Sequence, residues 1–462
     1  AQAKRIEQLQ FPGVLALPYQ RRYDEQMIAK HIVGFTSKDP ERVKKEFADE
    51  IKAGTLTINS LIGASGIERS FQPFLQGAGP ASISYFVDGQ GYPLNGLTVL
   101  YREPNNSFYP LSVVTTIDYD FQKEAEQIMN EVGIKDGALV LLDAKSADVL
   151  AMVSRPDYNP ERINLDSDGW VNRAVEQTIP GSIFKTVIAA AALNEGIVEP
   201  QDRFECKGDY GQYKFSCWKE GGHGHITMAE GFAQSCNIVF GELAAKLGSE
   251  KIQEYATKLG VTFPVGWETD QLFQMEQWKQ LDSEDPGVVF AIADEHINND
   301  KGNLLRTGIG QQDVQMTPLQ AANLIVTILN DGQVQRPRLV SELQYRNGST
   351  FQEFAKEEIE GEEVDRYTTY LLQQMMRGVV DQGTGTALKD TIWSVAGKTG
   401  TAQLSNGNNN QWFIGYGDVR NPKYVIAVVA KNVPSNEANQ AIKAFEKMMN
   451  KLANYHTVGE NG

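Results

Sequence analysis

Residues 391–433 read TIWSVAGKTGTAQLSNGNNNQWFIGYGDVRNPKYVIAVVAKNV. This stretch predicts three β-strands, because its apolar and β-branched runs are broken by Asn, Gly and Pro where turns are expected. The polar run at 405–411 is expected to form a flexible hairpin tip. The residues that follow, 436–455, have the apolar spacing of an amphipathic helix.

Two more predicted strands lie far upstream, in ALVLLDAKSADVLAMVS at 138–154, behind an amphipathic helix at 117–133. An Ala-rich apolar run that begins near Ser182 predicts a buried helix between the two groups of strands. Strands at both ends of a region with helices between them favour an α+β fold in which helices sandwich an antiparallel sheet. We predict a smaller N-terminal domain over 1–115 and a main domain over 116–462.

The composition is that of a soluble globular protein with two or three domains. The chain has 462 residues, of which 41% are hydrophobic and 22% are charged. A net charge of -16 without a local Lys/Arg-rich cluster argues against nucleic acid as a partner, because phosphate backbones attract basic surfaces. No apolar run approaches the ~20 residues that span a bilayer.

The chain has three cysteines, Cys206, Cys217 and Cys236, and the sequence leaves their state open. Cys206 and Cys217 flank a Gly/Tyr-rich stretch and could close a short disulfide loop, which would indicate an oxidising compartment. Both could equally be reduced thiols. A zinc site that adds His223 and His225 is the third reading, and it is the least favoured because the spacing fits no common zinc module.

An S-x-x-K pair, Ser182 and Lys185, opens the predicted buried helix. Residues three apart share one face of a helix, so the lysine amine can approach the serine hydroxyl. A serine in the first helical turn also faces free backbone N–H groups and the positive end of the helix dipole. Such a pair suits acyl transfer if burial or a neighbouring cation lowers the lysine pKa. A second copy, Ser216 to Lys219, lies in a stretch without helical period and is interpreted as a coincidence.

Two further motifs follow in order, the S-x-N of Ser235 and Asn237 and the K-T-G of Lys398 to Gly400. A glycine within a strand is expected to let a substrate approach the backbone closely. The stretch GKTGT is not a Walker A phosphate loop, because that motif needs a glycine where this chain has Ile392. The ordered triple S-x-x-K, S-x-N and K-T-G is the motif set of the penicillin-binding protein and serine β-lactamase superfamily.

Longer segments resemble class B penicillin-binding proteins, among them GASGIER at 63–69, NRAVEQTIPGSIFK at 172–185, GIGQQDVQMTPLQAA at 308–322 and GVVDQGTGTAL at 378–388. The resemblance covers residues 116–462 and is weaker before them. It implies a penicillin-binding transpeptidase fold, with an all-helical part beside the sandwiched sheet and a non-catalytic pedestal or dimerisation domain at the N-terminus. The segments around the three cysteines resemble the approach to the family's second motif, which implies that no metal or cofactor is needed.

The resemblance also implies a role for each motif residue. Ser182 would be the acylated nucleophile, and Lys185 would be the base that takes its proton. Ser235 and Asn237 would relay the proton and hold the substrate amide. Residues implied to orient the donor are Lys398, Thr399, Gly400 and Thr401, and the backbone N–H groups of Ser182 and Thr401 would form the oxyanion hole.

A peptidoglycan D,D-transpeptidase that forms cell-wall cross-links through an acyl-serine, and that β-lactams inhibit, is the implied function. Its implied partners are peptidoglycan stem peptides, β-lactams and other cell-wall synthesis proteins. Its implied place is the extracytoplasmic face of the bacterial cell membrane, held by an N-terminal anchor absent from this sequence. A D,D-carboxypeptidase or β-lactamase shares the first step, and a β-lactam sensor or non-catalytic penicillin-binding scaffold is the alternative from a different class.

Overall fold

The structure is a computed structural model that describes residue 5 and residues 21–459, apart from 25, 77–81, 93, 95, 96, 98, 99, 103–105 and 165. The named strands of this part of the chain form one five-stranded sheet, one three-stranded sheet and four two-stranded ribbons. All of their pairings are antiparallel. The predicted α+β class with an antiparallel sheet is confirmed.

Short elements make up the region before residue 116. They are α1 (Lys30–Val33), β1 (Thr36–Lys38), α2 (Pro40–Glu46), α3 (Ala48–Ala53), β2 (Leu61–Gly63), α4 (Gly66–Ser70), α5 (Gln72–Leu75), β3 (Ser82–Ser84), β4 (Leu100–Arg102) and β5 (Ser112–Thr115). A small separate core of Val43, Phe47, Leu56 and Ile62 lies here. Part of the predicted domain over 1–115 lies outside the described residues.

Longer elements make up the main domain. They are α6 (Tyr119–Val132), β6 (Gly137–Asp143), β7 (Val149–Arg155), a 3₁₀ turn (Gly181–Phe184), α7 (Lys185–Asn194), β8 (Arg203–Cys206), β9 (Gly224–Thr227), α8 (Met228–Ala233), α9 (Asn237–Lys258), β10 (Glu268–Leu272), β11 (Met275–Lys279), α10 (Glu295–Asn298), α11 (Lys301–Thr307), α12 (Pro318–Leu329), β12 (Val340–Gln344), β13 (Thr350–Glu353), α13 (Arg366–Gln382), a 3₁₀ turn (Thr386–Leu388), β14 (Val395–Gln403), β15 (Asn409–Gly417), β16 (Tyr424–Val433) and α14 (Gln440–Gly459). None of the described helices combines the length and apolar content of a bilayer span.

The five-stranded sheet joins the two distant groups of predicted strands in the order β14-β15-β16-β6-β7. Alternate residues of β6 face opposite layers, as the period of a strand requires: Leu139 and Leu141 pack with α6 and α14, and Val140 and Leu142 pack with α12. Both faces are therefore buried between helices. Strand β14 is left at one edge, where it meets the 3₁₀ turn that contains Ser182.

The loop between β14 and β15 is shorter than expected. Residues 409–411 were included in the predicted flexible tip, but they belong to β15. The side-chain amide of Asn410 donates to the hydroxyl of Thr178 at 3.1 Å, and its side-chain oxygen accepts from the backbone N–H of Asn432. These buried hydrogen bonds hold in a strand a polar run that composition alone assigns to a loop.

Candidate active site

Ser182 lies in the 3₁₀ turn Gly181–Phe184, so α7 begins at Lys185, three residues later than predicted. Gly181 has a φ of +56°, and a Cβ at this position would come within 2.6 Å of the carbonyl oxygen of Thr401. The N–H of Gly181 donates to the carbonyl of Gly310 at 3.0 Å. The turn is thus fixed between the edge strand β14 and a neighbouring loop, and only glycine fits there.

Lys185 is fully buried and makes three hydrogen bonds. Its Nζ lies 2.7 Å from the carbonyl oxygen of Ser235, 3.2 Å from Ser235 Oγ and 2.8 Å from Asn237 Oδ1. Burial lowers the pKa of Lys185 to about 7, although the nearby Cys236 and Cys217 act in the opposite direction. A substantial fraction of this amine is therefore neutral near neutral pH, as a general base requires.

The structure does not bring the Ser182 hydroxyl into hydrogen-bond contact with Lys185. All three donors of the ammonium are directed to the S-x-N motif instead. The contact predicted from the S-x-x-K spacing is therefore not formed in this state. Loss of a proton from Lys185 would leave a lone pair that can accept from the Ser182 hydroxyl. In addition, catalytic contacts commonly tighten only when a substrate is bound.

Ser235 lies between two buried lysines. Lys398, also fully buried, places its Nζ 3.0 Å from Ser235 Oγ and 3.1 Å from the carbonyl oxygen of Thr399. Burial, and then the charge of Lys185, lower the pKa of Lys398 well below its ordinary value. The Ser235 hydroxyl can therefore exchange a proton with either amine, which is the arrangement that a proton relay needs.

Asn237 is held from both ends of its side-chain amide. Its Oδ1 accepts from Lys185, and its Nδ2 donates to the carbonyl of Ser216 at 3.1 Å. Ser235 itself has a φ of +54°, in the left-handed region that few non-glycine residues adopt. This backbone turn directs both Ser235 and Asn237 to the same lysine.

Gly400 does not have the open surroundings that we expected for substrate approach. A Cβ on Gly400 would lie 2.9 Å from the carbonyl oxygen of Pro180 and 2.9 Å from Ile183 Cγ2. The nucleophile turn itself therefore occupies that space. Close packing of β14 against this turn accounts for the glycine.

Thr399 and Thr401 differ in exposure. The side chain of Thr401 is exposed on the edge strand, whereas Thr399 is only 8% exposed. The Thr399 hydroxyl lies 2.5 Å from Thr384 Oγ1, in the loop between α13 and β14. Sequence reasoning did not assign a role to Thr384, although its segment GVVDQGTGTAL had been noted as similar to the family.

Trp218 is a second residue that the sequence did not reveal. Its indole N–H lies 3.2 Å from the carbonyl oxygens of both Gln234 and Ser235. The Ser235 carbonyl therefore accepts hydrogen bonds from Trp218 and from Lys185.

Cys236 belongs to a second polar cluster. The ligand atoms of Cys206, Cys217, His223 and Cys236 all lie within 4.8 Å of one another. His223 Nδ1 lies 3.6 Å from the sulfur of Cys206 and 3.4 Å from that of Cys217, and the sulfurs of Cys217 and Cys236 are 4.0 Å apart. The three cysteines are free, so the disulfide reading of Cys206 and Cys217 does not hold in this structure.

This Cys₃His set has the chemistry of a structural zinc site. Tetrahedral zinc with Zn–S of about 2.3 Å and Zn–N of about 2.0 Å keeps its ligand atoms roughly 3.5–3.8 Å apart, close to the spacings found here. The described residues thus contain a candidate metal site, whereas the resemblance to the family implied that no metal is needed. The zinc site that the sequence favoured least included His225, but His225 is 74% exposed and approaches Glu205, and the cluster contains Cys236 instead.

Two family profiles match the chain. Residues 137–452 match the penicillin binding protein transpeptidase domain, and residues 1–107 match the penicillin-binding protein dimerisation domain. The first match covers more than half of the 462 residues.

Curated relatives align over almost the whole chain. The peptidoglycan D,D-transpeptidase MrdA of Haemophilus influenzae is 27% identical, with 95% of this chain and 70% of that protein aligned. The stage V sporulation protein D of Bacillus subtilis is 28% identical, with 93% of this chain and 63% of that protein aligned. The chain thus spans about two thirds of the length of these relatives.

Solved structures share the fold. The D,D-transpeptidase domain of a peptidoglycan glycosyltransferase from Eggerthella lenta superposes with a TM-score of 0.71 at 23% identity, covering 96% of this chain and 94% of that one. Penicillin-binding protein 3 from Mycobacterium tuberculosis gives 0.70 at 24% identity, covering 96% and 91%.

Proposed function

This chain belongs to the penicillin-binding protein transpeptidase family, and we propose that it is a peptidoglycan D,D-transpeptidase that works through an acyl enzyme at Ser182. The observation that carries the proposal is the buried cluster of Lys185, Ser235, Asn237 and Lys398 beside the Ser182 turn. It would supply a neutral amine and a proton relay among largely buried side chains.

In the proposed reaction, Ser182 Oγ attacks the carbonyl of the D-Ala-D-Ala bond, and Lys185 takes the hydroxyl proton. The backbone N–H groups of Ser182 and Thr401 stabilise the oxyanion. The tetrahedral intermediate then collapses with loss of D-Ala, whose amine receives a proton through Ser235. An amine of a neighbouring strand attacks the acyl-serine, loses its proton along the same relay and leaves the Ser182 hydroxyl restored.

Binding of the donor carboxylate is proposed for Thr399 and Thr401, and the negative charge of the bound carboxylate would favour the protonated form of the buried Lys398. In a β-lactam, the strained amide and the carboxylate occupy the same positions, and the leaving nitrogen stays attached to the acyl group. A long-lived acyl enzyme is the expected result.

The proposed setting is the extracytoplasmic face of the bacterial membrane, together with other cell-wall synthesis proteins. One structural neighbour, penicillin-binding protein 2 of Helicobacter pylori, was solved in complex with MreC. The chain's match to a dimerisation domain over 1–107 supports a protein-binding role for that region.

Intact mass after incubation with benzylpenicillin tests the acylation step. We expect one adduct on the wild type that persists for hours and no adduct on Ser182→Ala. The matched control is Ser216→Ala, in the second S-x-x-K copy, which keeps the adduct. An adduct retained by Ser182→Ala would overturn the assignment.

Deacylation separates the proposed function from its alternatives. Rapid loss of the adduct with penicillin hydrolysis would identify a β-lactamase. With a stem-peptide donor, release of D-Ala without cross-linked product would identify a carboxypeptidase. Stable acylation without turnover of any peptide donor would identify a sensor or scaffold.

We also propose that Cys206, Cys217, His223 and Cys236 hold a zinc ion, on the strength of their spacing. The ion would stabilise the loop that carries Trp218. Through Cys236 it would also stabilise the S-x-N motif. Elemental analysis of the purified protein is expected to find about one zinc per chain, lost in Cys206→Ser and kept in the control His225→Ala. A metal-free wild type, also after incubation with zinc under reducing conditions, would overturn this assignment.

A further inference from the structure

Thr384 contacts the K-T-G motif and the helix that precedes the S-x-N motif. Its backbone N–H donates to the carbonyl of Ala233, the last residue of α8, at 3.1 Å. Its hydroxyl lies 2.5 Å from the hydroxyl of Thr399. One residue therefore joins the helix before Ser235 to the strand that carries the K-T-G.

The glycine before Thr384 makes this contact possible. A Cβ on Gly383 would lie 2.1 Å from the carbonyl oxygen of Ala233, so a larger residue would push the loop away from α8. The loop is held a second time, because Gln234 Nε2 donates to the carbonyl of Gln382 at 2.6 Å. The position of the Thr384 hydroxyl is therefore set by the backbone.

The direction of the hydrogen bond between the two threonines decides what Thr399 offers to a ligand. A hydroxyl has one proton. If Thr399 donates to Thr384, it can only accept from a substrate, whereas if Thr384 donates to Thr399, the Thr399 proton is free for a carboxylate.

The contacts leave the direction open in the free protein, and a carboxylate bound beside Thr399 favours Thr384 as the donor, because Thr399 then donates to a charged acceptor. The alternative acceptor for its proton, the Ala233 carbonyl, is 3.5 Å from Thr384 Oγ1 and already accepts the Thr384 backbone N–H. A hydrogen bond at 3.5 Å is far weaker than one at 2.5 Å between hydroxyls. Among the described residues, no other group makes a hydrogen bond with the Thr399 hydroxyl.

We propose that Thr384 is a positioning residue that gives its hydroxyl proton to Thr399 and thereby directs the Thr399 proton to the carboxylate of the donor peptide or β-lactam. This inference rests on the proposed function and goes beyond it, because it makes carboxylate selectivity depend on a residue outside the three motifs. The hydrogen bond to Thr384 also polarises the Thr399 hydroxyl, which strengthens it as a donor.

The test compares acylation by benzylpenicillin with acylation by its methyl ester, which has the same β-lactam ring but no carboxylate. Second-order acylation rates are measured by time-resolved intact mass for the wild type, Thr384→Val and Thr384→Ser. Valine keeps the shape and the backbone contact to Ala233 but cannot donate. Thr386→Val is the matched control, because Thr386 stands two residues further along the same Gly-Thr-Gly-Thr stretch and is exposed.

We expect Thr384→Val to slow acylation by benzylpenicillin about fivefold, the effect of losing one hydrogen bond between neutral groups that orients the Thr399 hydroxyl, and to leave the methyl ester within about twofold of its wild-type rate. Thr384→Ser is expected to restore most of the benzylpenicillin rate. Added to Thr399→Val, Thr384→Val should have little further effect.

An equal loss for both compounds, or no loss for either, would overturn the positioning role of Thr384 while leaving the proposed function intact. A wild type that forms no adduct at Ser182 would overturn both. Unchanged melting temperatures of the threonine variants exclude unfolding as the cause.

Discussion

The two polar clusters on either side of the S-x-N segment are built in opposite ways. Ser235 and Asn237 face fully buried lysines, where burial favours the neutral amine. Cys236, between them, faces thiols and an imidazole arranged for a cation. In the lysine cluster, an amine without its positive charge could act as a base. In the Cys/His cluster, a bound cation would add stability. Successive residues of one turn thus connect the proposed site of chemistry to the proposed metal site.

Among the variants that test this difference between the clusters, Lys185→Met is expected to have the largest effect on the acylation rate. Methionine fills a similar volume but cannot accept the Ser182 proton, so the acylation rate should fall by about 10³-fold. Time-resolved intact mass with benzylpenicillin measures it, and Lys219→Met, in the second S-x-x-K copy, is the control. A rate within tenfold of the wild type would show that another group is the base.

Removing one member of the Cys/His cluster tests whether this cluster and the lysine cluster are energetically coupled. Cys236→Ser should lower the zinc content and the melting temperature, and should slow acylation by about 10²-fold, because small displacements of Ser235 and Asn237 misplace the base. The exposed His225→Ala should behave as the wild type. Zinc loss at an unchanged acylation rate would show that the clusters are energetically independent.

The pH dependence of acylation sharpens the difference between the clusters. The proposed base is the neutral form of Lys185, whose pKa is about 7, and the neutral fraction rises with pH. The rate should therefore rise about tenfold from pH 6 to pH 8 and level off above. Zinc content is measured at each pH, because protonation of the thiolates at low pH would release the metal. This control separates metal loss from the titration of Lys185. A flat profile at constant zinc content would contradict the assigned pKa.

The members of the proposed catalytic cluster could be selected from the sequence, because they belong to short motifs whose spacing reflects local structure. Ser182 and Lys185 are three residues apart at the start of a helix, and the strands around the K-T-G have clear apolar runs. The missing contact between Ser182 and Lys185 could not be predicted in this way. It depends on hydrogen-bond competition from Ser235 and Asn237, which lie about fifty residues further along the chain.

The Cys/His cluster was harder to predict for a physical reason. Its four ligands come from a strand end, an irregular loop and the residue before α9, and a loop has no period from which side-chain directions can be read. His223 and His225 were indistinguishable by spacing, and only the path of the loop separates the partly buried His223 from the exposed His225. Thr384 was missed because its contact with Thr399 is made across two separate elements.

Trp218 joins the two clusters and gives the smallest expected effect. Its indole N–H is shared between two carbonyls, and the Ser235 carbonyl keeps its shorter bond to Lys185 when the indole is removed. Trp218→Phe should therefore slow acylation by only about threefold, as for one modest hydrogen bond, while the remote Trp393→Phe should not change it. A loss as large as that of Cys236→Ser would mean that this bond transmits most of the coupling, because Trp218 is the residue that connects Cys217 to Ser235.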